Sequence, residues 1–188
     1  MSRFLDEIRE QPQALGRLLQ HLGGPGRSAL QAAADLGAGR ALAFVGMGSS
    51  HYAPLAVRPS LARAGVRADL WEAGELLHYG LEALPADGVV VAISQSGESA
   101  ETLRVIEHLD PRHPVVAITN DPASRLGRRG QVVLPLCAGA EAAISTKTYS
   151  NTLALLHLLA AAVAGRDLEA ERRRLEGLAA DMTEALDR

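Results

Sequence analysis

Five short apolar runs, separated by helical stretches, most limit what this chain can become. They are Ala41-Leu42-Ala43-Phe44-Val45, a weaker run over 66–71, Val89-Val90-Val91-Ala92-Ile93, Val115-Val116-Ala117-Ile118 and Val132-Val133-Leu134. In the strongest of them every position is apolar, rather than every second one. That pattern belongs to strands buried on both faces of a parallel sheet. Helical periodicity fills the intervals at 50–64, 74–80, 100–109 and 123–128. Strand–helix alternation with right-handed crossovers predicts a three-layer α/β/α sandwich around a five-stranded parallel, flavodoxin-like sheet.

The flanks read as helix. Phe4, Leu5, Ile8, Leu15, Leu18, Leu19 and Leu22 recur at helical spacing, Pro12 opens a second helical piece, and Gly23-Gly24-Pro25-Gly26 stops it. A long apolar helix is expected over 147–164. Asp167 then caps a final amphipathic helix with Leu168, Leu175, Leu178, Met182 and Leu186 on one face. The expected organisation is a single domain of 188 residues: N-terminal helices over 1–38, an α/β core over 39–165 and a C-terminal helix over 166–188.

Composition narrows the function classes. Aromatic residues make up only 3%, so the core must be built from Ala, Leu and Val, and stacking platforms for single-stranded nucleic acid are scarce. The net charge of −3 argues against a nucleic-acid partner, and Arg172-Arg173-Arg174 reads as a solvated helix face. Cys137 is the sole cysteine, so no intrachain disulfide can form, and a cytoplasmic location is expected. In its apolar setting it reads as a small core residue rather than a nucleophile. No signal peptide is read in the acidic start of the chain, and no membrane partner is expected: the apolar stretch 153–164 is too short to span a bilayer and contains His157.

Ligands of such sheets bind beyond the carboxyl ends of the strands. After the first strand stands Gly46-Met47-Gly48-Ser49-Ser50-His51. Its glycines allow close backbone approach, and helix-start amides can bind an anion. An ordinary strand-to-helix turn looks much the same. A dinucleotide fingerprint would need glycine where His51 stands, although Glu72 mimics the ribose-binding acid. No Gly-Lys-Ser/Thr occurs, which excludes a P-loop.

After the strongest strand comes Ser94-Gln95-Ser96-Gly97-Glu98-Ser99-Ala100-Glu101-Thr102. Helix-start amides and serine hydroxyls together make a phosphate cradle without lysine or metal. Capping accounts for Ser99, but not for Ser94, Gln95 and Ser96. A third cluster, Gly139 to Thr148, opens the long apolar helix. It offers Glu141 and Lys147 as acid–base groups; otherwise Ser145 or Thr146 caps the helix and Glu141 is solvated. Lys147 at a helix start opposes the macrodipole, which hints at a partner for it. His51 is the histidine that lies where a ligand belongs. No cofactor and no metal are called for.

These blocks, with Glu7-Ile8-Arg9-Glu10-Gln11-Pro12-Gln13-Ala14-Leu15, resemble the glucosamine-6-phosphate synthase family, specifically the first of the two sugar isomerase (SIS) domains of its isomerase part. The resemblance implies that Ser94, Gln95, Ser96 and Ser99 bind phosphate, with Ser99 where the family has threonine. It implies that Ser49 and Ser50 touch the sugar phosphate, Ser49 again replacing threonine, and that Ser145 contacts a sugar hydroxyl. The loop from Glu141 to Ser145 is one residue shorter than the family's. The family's glutaminase domain and second SIS domain, which carries the isomerising glutamate, have no counterpart in these residues. Three function classes follow: an isomerase or aminotransferase of a sugar 6-phosphate such as fructose 6-phosphate or glucosamine 6-phosphate, with Glu141 and His51 as catalytic candidates; a sensing module that binds without turnover; and a nucleotide-binding domain. A homodimer or higher oligomer is expected, because half of a two-domain isomerase leaves an apolar face uncovered.

Overall fold

The computed structural model describes residues 2–142 and 144–186. Three helices come first: α1 (Arg3–Arg9), α2 (Gln11–Gly23) and α3 (Arg27–Gly37). The alternating part follows as β1 (Leu42–Gly46), α4 (Ser49–Tyr52), α5 (Arg58–Arg63), β2 (Ala68–Glu72), α6 (Ala73–Glu75), β3 (Val89–Ile93), α7 (Ala100–His108), β4 (Val115–Thr119), α8 (Arg125–Arg129) and β5 (Val132–Pro135). Two long helices, α9 (Lys147–Val163) and α10 (Leu168–Leu186), close the chain. All strand pairings are parallel, in the order β2-β1-β3-β4-β5. This is the expected three-layer, flavodoxin-like sandwich.

The alternation of side chains along each strand builds two separate cores. Leu42 and Phe44 of β1, Val89, Val91 and Ile93 of β3, and Val116 and Ile118 of β4 pack under α2, α3 and α9. Ala43, Val45, Val90, Ala92 and Ala117 face the other way, against Ala73, Leu76, Leu103, Val105 and Leu126. Alanines on that second face let α6, α7 and α8 approach closely, as tight interior packing requires. The central strands β1, β3 and β4 are buried throughout, while β2 is half-buried along its length. That is why 66–71 reads as the weaker run: it is an edge.

The deviations from the sequence reading have local causes. The helix expected over 50–64 is broken into α4, a 3-10 turn at Ala53–Ala56 and α5, with a proline in the first turn of each later piece. The piece expected at 74–80 is short α6 continued by a π-helical turn at Leu76–Gly80. Asp167 accepts hydrogen bonds from the amides of Glu169 and Ala170 at 3.0 and 3.1 Å and caps α10 as expected. Leu168, Leu175 and Met182 of its stripe pack on the core, but Leu178 and Leu186 remain exposed. Among the described residues no helix is long and apolar enough to cross a membrane.

Candidate functional site

The order of strands reverses direction between β1 and β3, where the chain winds first one way and then the other. At such a switch point the two outgoing loops diverge and leave a crevice. Gly46 at the end of β1 is paired with Ile93 at the end of β3. The fold therefore brings together the Ser49-Ser50-His51 turn and the loop 94–99, which lie far apart in sequence.

The loop after β3 is held rigidly. The Ser94 amide donates to Ile118 O at 3.0 Å, the Leu126 amide donates to Gly97 O at 3.0 Å, and the Asn120 amide donates to Gln95 O at 3.0 Å. Buried Ser94 accepts the Gly97 amide on Oγ at 3.2 Å, and Ser96 Oγ accepts the Glu98 amide at 3.2 Å, so both O–H groups remain to donate. Ser99 stands at the N-cap position of α7 but makes no side-chain cap bond; its Oγ instead accepts from Thr102 Oγ1 at 3.2 Å and donates to Glu101 Oε2 at 3.5 Å. The first-turn amides of α7 are thus left facing the loop, with the positive end of the helix dipole behind them. Glu98 is turned aside: its carboxylate accepts from the Arg125 amide at 2.8 Å and from Arg125 Nε at 2.6 Å. Those bonds hold it below the usual carboxylate range, the backbone bond contributing most.

On the opposite rim, α4 starts from Gly48, whose φ of +52° a side-chain-bearing residue rarely adopts. Ser49 is exposed and Ser50 half-buried. His51 packs edge-on against Tyr52 with ring centroids 5.1 Å apart, and its Nδ1 is buried with no hydrogen-bond partner among the described residues. Glu72, the possible ribose ligand, is occupied otherwise, accepting the Glu75 amide at 2.9 Å as the cap of α6.

In the third cluster Glu141 has a structural part. Its Oε1 accepts from the amides of Thr146, Lys147 and Thr148 at 2.8, 2.7 and 3.3 Å and from the Thr146 hydroxyl at 3.0 Å, and the Thr148 hydroxyl donates to Oε2. Glu141 is therefore the N-terminal cap of α9, the part expected of Ser145 or Thr146. Burial, the largest single influence, opposes ionisation, but the Thr148 and Thr146 bonds together outweigh it and lower the pKa from 4.5. A carboxylate so held is a weak base. Ser145 is half-buried on this loop, and among the described residues its hydroxyl has no hydrogen-bond partner.

Glu141→Gln is accordingly expected to lower stability by about 2–3 kcal/mol, or roughly 5–10 °C, since one amide oxygen replaces a doubly accepting carboxylate. A group with a lowered folded pKa stabilises fully above its ordinary value and loses that contribution as pH falls through the folded value. The gap between wild type and variant should be widest at neutral pH and close below pH ~4. Thermal melts from pH 3 to 8 check this; a constant gap would refute the capping role.

Sequence reasoning missed Asn120. Its side chain donates from Nδ2 to Gly139 O at 2.8 Å and accepts the Ala138 amide on Oδ1 at 2.9 Å, while its own amide holds Gln95 O. It joins the phosphate-type loop to the third cluster. The available signal was an asparagine directly beyond a buried strand, at the ligand-binding edge.

With this geometry established, comparison with known proteins is informative. The SIS domain family model matches residues 38–162. A glutamine–fructose-6-phosphate aminotransferase (isomerizing) of Aeropyrum pernix is 38% identical over 183 residues, covering 93% of this chain and 29% of that protein. The chain thus spans under a third of that relative's length. Among solved structures, glucosamine-6-phosphate deaminase of Thermotoga maritima superposes with a TM-score of 0.74 at 25% identity, covering 97% of this chain and 54% of the other. The C-terminal domain of glucosamine-fructose-6-phosphate aminotransferase from Francisella tularensis shares the fold with a TM-score of 0.77 at 21% identity, covering 98% and 53%. The chain belongs to the SIS domain family, related to the isomerase part of the glutamine–fructose-6-phosphate aminotransferases.

Proposed function

We propose that the chain binds a sugar 6-phosphate, of the fructose 6-phosphate or glucosamine 6-phosphate type, in the crevice between the loops after β1 and β3. One observation carries this reading: the uncapped N-terminus of α7 opens onto a rigid loop with Ser94, Ser96 and Ser99 hydroxyls, where Glu98 is turned aside onto Arg125 and the Glu101 carboxylate accepts weakly, at 3.5 Å, from the Ser99 hydroxyl. The phosphate lies on those hydroxyls, the α7 amides and Gln95. The sugar extends toward Ser49, Ser50 and Ser145. The names of the T. maritima and A. pernix relatives, an amino-sugar phosphate deaminase and a fructose 6-phosphate aminotransferase, agree with that ligand class.

Replacing Ser94 and Ser96 together by alanine should weaken sugar-phosphate binding by about 1–3 kcal/mol, the loss expected for hydrogen bonds to a charged group. Calorimetry with glucosamine 6-phosphate measures it. Unchanged affinity in a folded double variant would overturn the assignment.

Binding without efficient turnover is the favoured form of this function for residues 1–188 alone, because Glu141 is engaged as a helix cap. His51 is the remaining group placed to move a proton near the sugar. We further expect self-association in a cytoplasmic setting. An apolar groove of about 320 Å³ between α2, α9 and α10, lined by Leu15, Val57, Leu153, Leu175, Leu178 and Met182, offers the face. Light scattering at micromolar concentration should give at least a dimer mass, and a sharp monomer would rule this out.

A further inference from the structure

Four consecutive carbonyl oxygens beyond β5 each receive a bond from a side chain outside that segment. Arg17 donates from Nε to Cys137 O at 3.3 Å and from Nη2 to Ala138 O at 3.0 Å. Asn120 Nδ2 donates to Gly139 O at 2.8 Å, and Lys147 Nζ donates to Ala140 O at 2.7 Å. The next amide but one, of Ala142, donates to Glu7 Oε1 at 2.9 Å. This backbone is irregular, with Cys137 at a φ of +54°, so it has no ladder to satisfy its polar groups and relies on these side chains instead.

The centre of the arrangement is Lys147. The residue is 1% exposed, at the first position of α9, where the helix dipole disfavours a cation. A charge buried there persists only if it is paired. Its partner is Glu10, which accepts from Nζ at 2.7 Å and also holds Arg17 Nη2 at 2.8 Å. The Lys147 bond is the leading cause that lowers the Glu10 pKa. Glu7, Glu10 and Arg17 all come from α1, α2 and the junction between them, outside the sheet and its crossovers. Without them, Cys137 O and Ala138 O would lose their side-chain donor and the buried ammonium its counter-charge.

We propose that Glu10 and Lys147 are positioning residues: the ion pair ties the N-terminal helices to the segment 137–142 and to the start of α9, and fixes them in the form that receives the sugar portion of the ligand. This rests on the phosphosugar reading above. The phosphate loop is set by a different group of bonds, to β4, Asn120 and α8, none of them from α1 or α2. Loosening the pair should therefore separate recognition of the sugar from recognition of the phosphate.

The test uses Lys147→Met, Glu10→Gln and the double variant, with two readouts. Amide hydrogen exchange over 138–148 should quicken at least about tenfold in either single variant, and the double variant should be no worse than Lys147→Met. Calorimetry should show fructose 6-phosphate affinity falling about tenfold, the scale of one charge-assisted bond, while inorganic phosphate affinity is unchanged. Unchanged loop exchange, or equal weakening of both ligands, overturns the proposal, the second result marking a purely structural role. If Lys147→Met does not fold, Glu10→Gln, at a partly exposed carboxylate, carries the same comparison. If wild type binds no sugar phosphate, the phosphosugar reading fails by itself, and the exchange data alone decide whether the pair locks the loop.

Discussion

Replacing Gly97 with alanine is expected to cost about 3–6 kcal/mol of stability and to abolish phosphosugar binding. Gly97 has a φ of +66°, and a Cβ built there would stand 1.9 Å from Ser124 Oγ, 2.5 Å from Ser124 Cβ and 2.9 Å from Thr119 Oγ1. The left-handed backbone alone costs an alanine roughly 1–2 kcal/mol, and the overlap adds about 1–3. Ser124 cannot swing aside freely, because its Oγ accepts the Gly127 amide at 3.2 Å as the cap of α8. Losing a cap costs a further ~1 kcal/mol. The alternative is for the loop 94–99 to move, which dismantles the cradle. Gly16→Ala and Gly177→Ala are the controls: both lie within helices with nothing within 4 Å of the new Cβ. They should be neutral or stabilising by up to about 1 kcal/mol. Denaturant unfolding decides, and a Gly97→Ala protein as stable and as avid as wild type would contradict this account of the loop.

The second large effect concerns turnover. Residues 1–188 alone should bind phosphosugar yet isomerise it at a trace rate. Aldose–ketose isomerisation moves a proton between C1 and C2 and needs a base poised over both. A positioned base contributes about 10²–10⁴-fold. Glu141 and Glu98 are both engaged by hydrogen bonds that stabilise their ionised forms, and neither is free to accept a proton readily. A coupled assay with fructose 6-phosphate and glucosamine 6-phosphate should therefore give rates well below ~1 s⁻¹, the lower end of the usual enzymatic range. Glu141→Gln should lose stability without altering whatever rate remains. A wild-type rate above that limit, abolished by Glu141→Gln, would restore Glu141 as the base.

The sheet was legible because its central strands are buried on both faces, which leaves unbroken apolar runs such as 89–93 and 115–118. The phosphate-type loop was legible for the opposite reason: three serines and a glutamine interrupt that apolar pattern where a helix should simply begin. The capping part of Glu141 was not legible, because no spacing rule announces a cap six residues before the first residue of the helix. The partner that Lys147 implied could not be named, because Glu10 lies 137 residues away and only the packing of α2 against α9 brings them together.

The central claim is that the switch-point crevice takes a sugar phosphate. Thermal-shift titration of the wild-type chain with fructose 6-phosphate, glucosamine 6-phosphate, unphosphorylated glucosamine and NAD tests it most directly. Ligand at a hundred times its dissociation constant adds about 2.7 kcal/mol to the folded state, which for a chain of this size raises the melting temperature by roughly 5–11 °C. The account predicts that rise for at least one of the two phosphosugars and none for glucosamine or NAD. A rise with NAD, or no response to either phosphosugar, would contradict it.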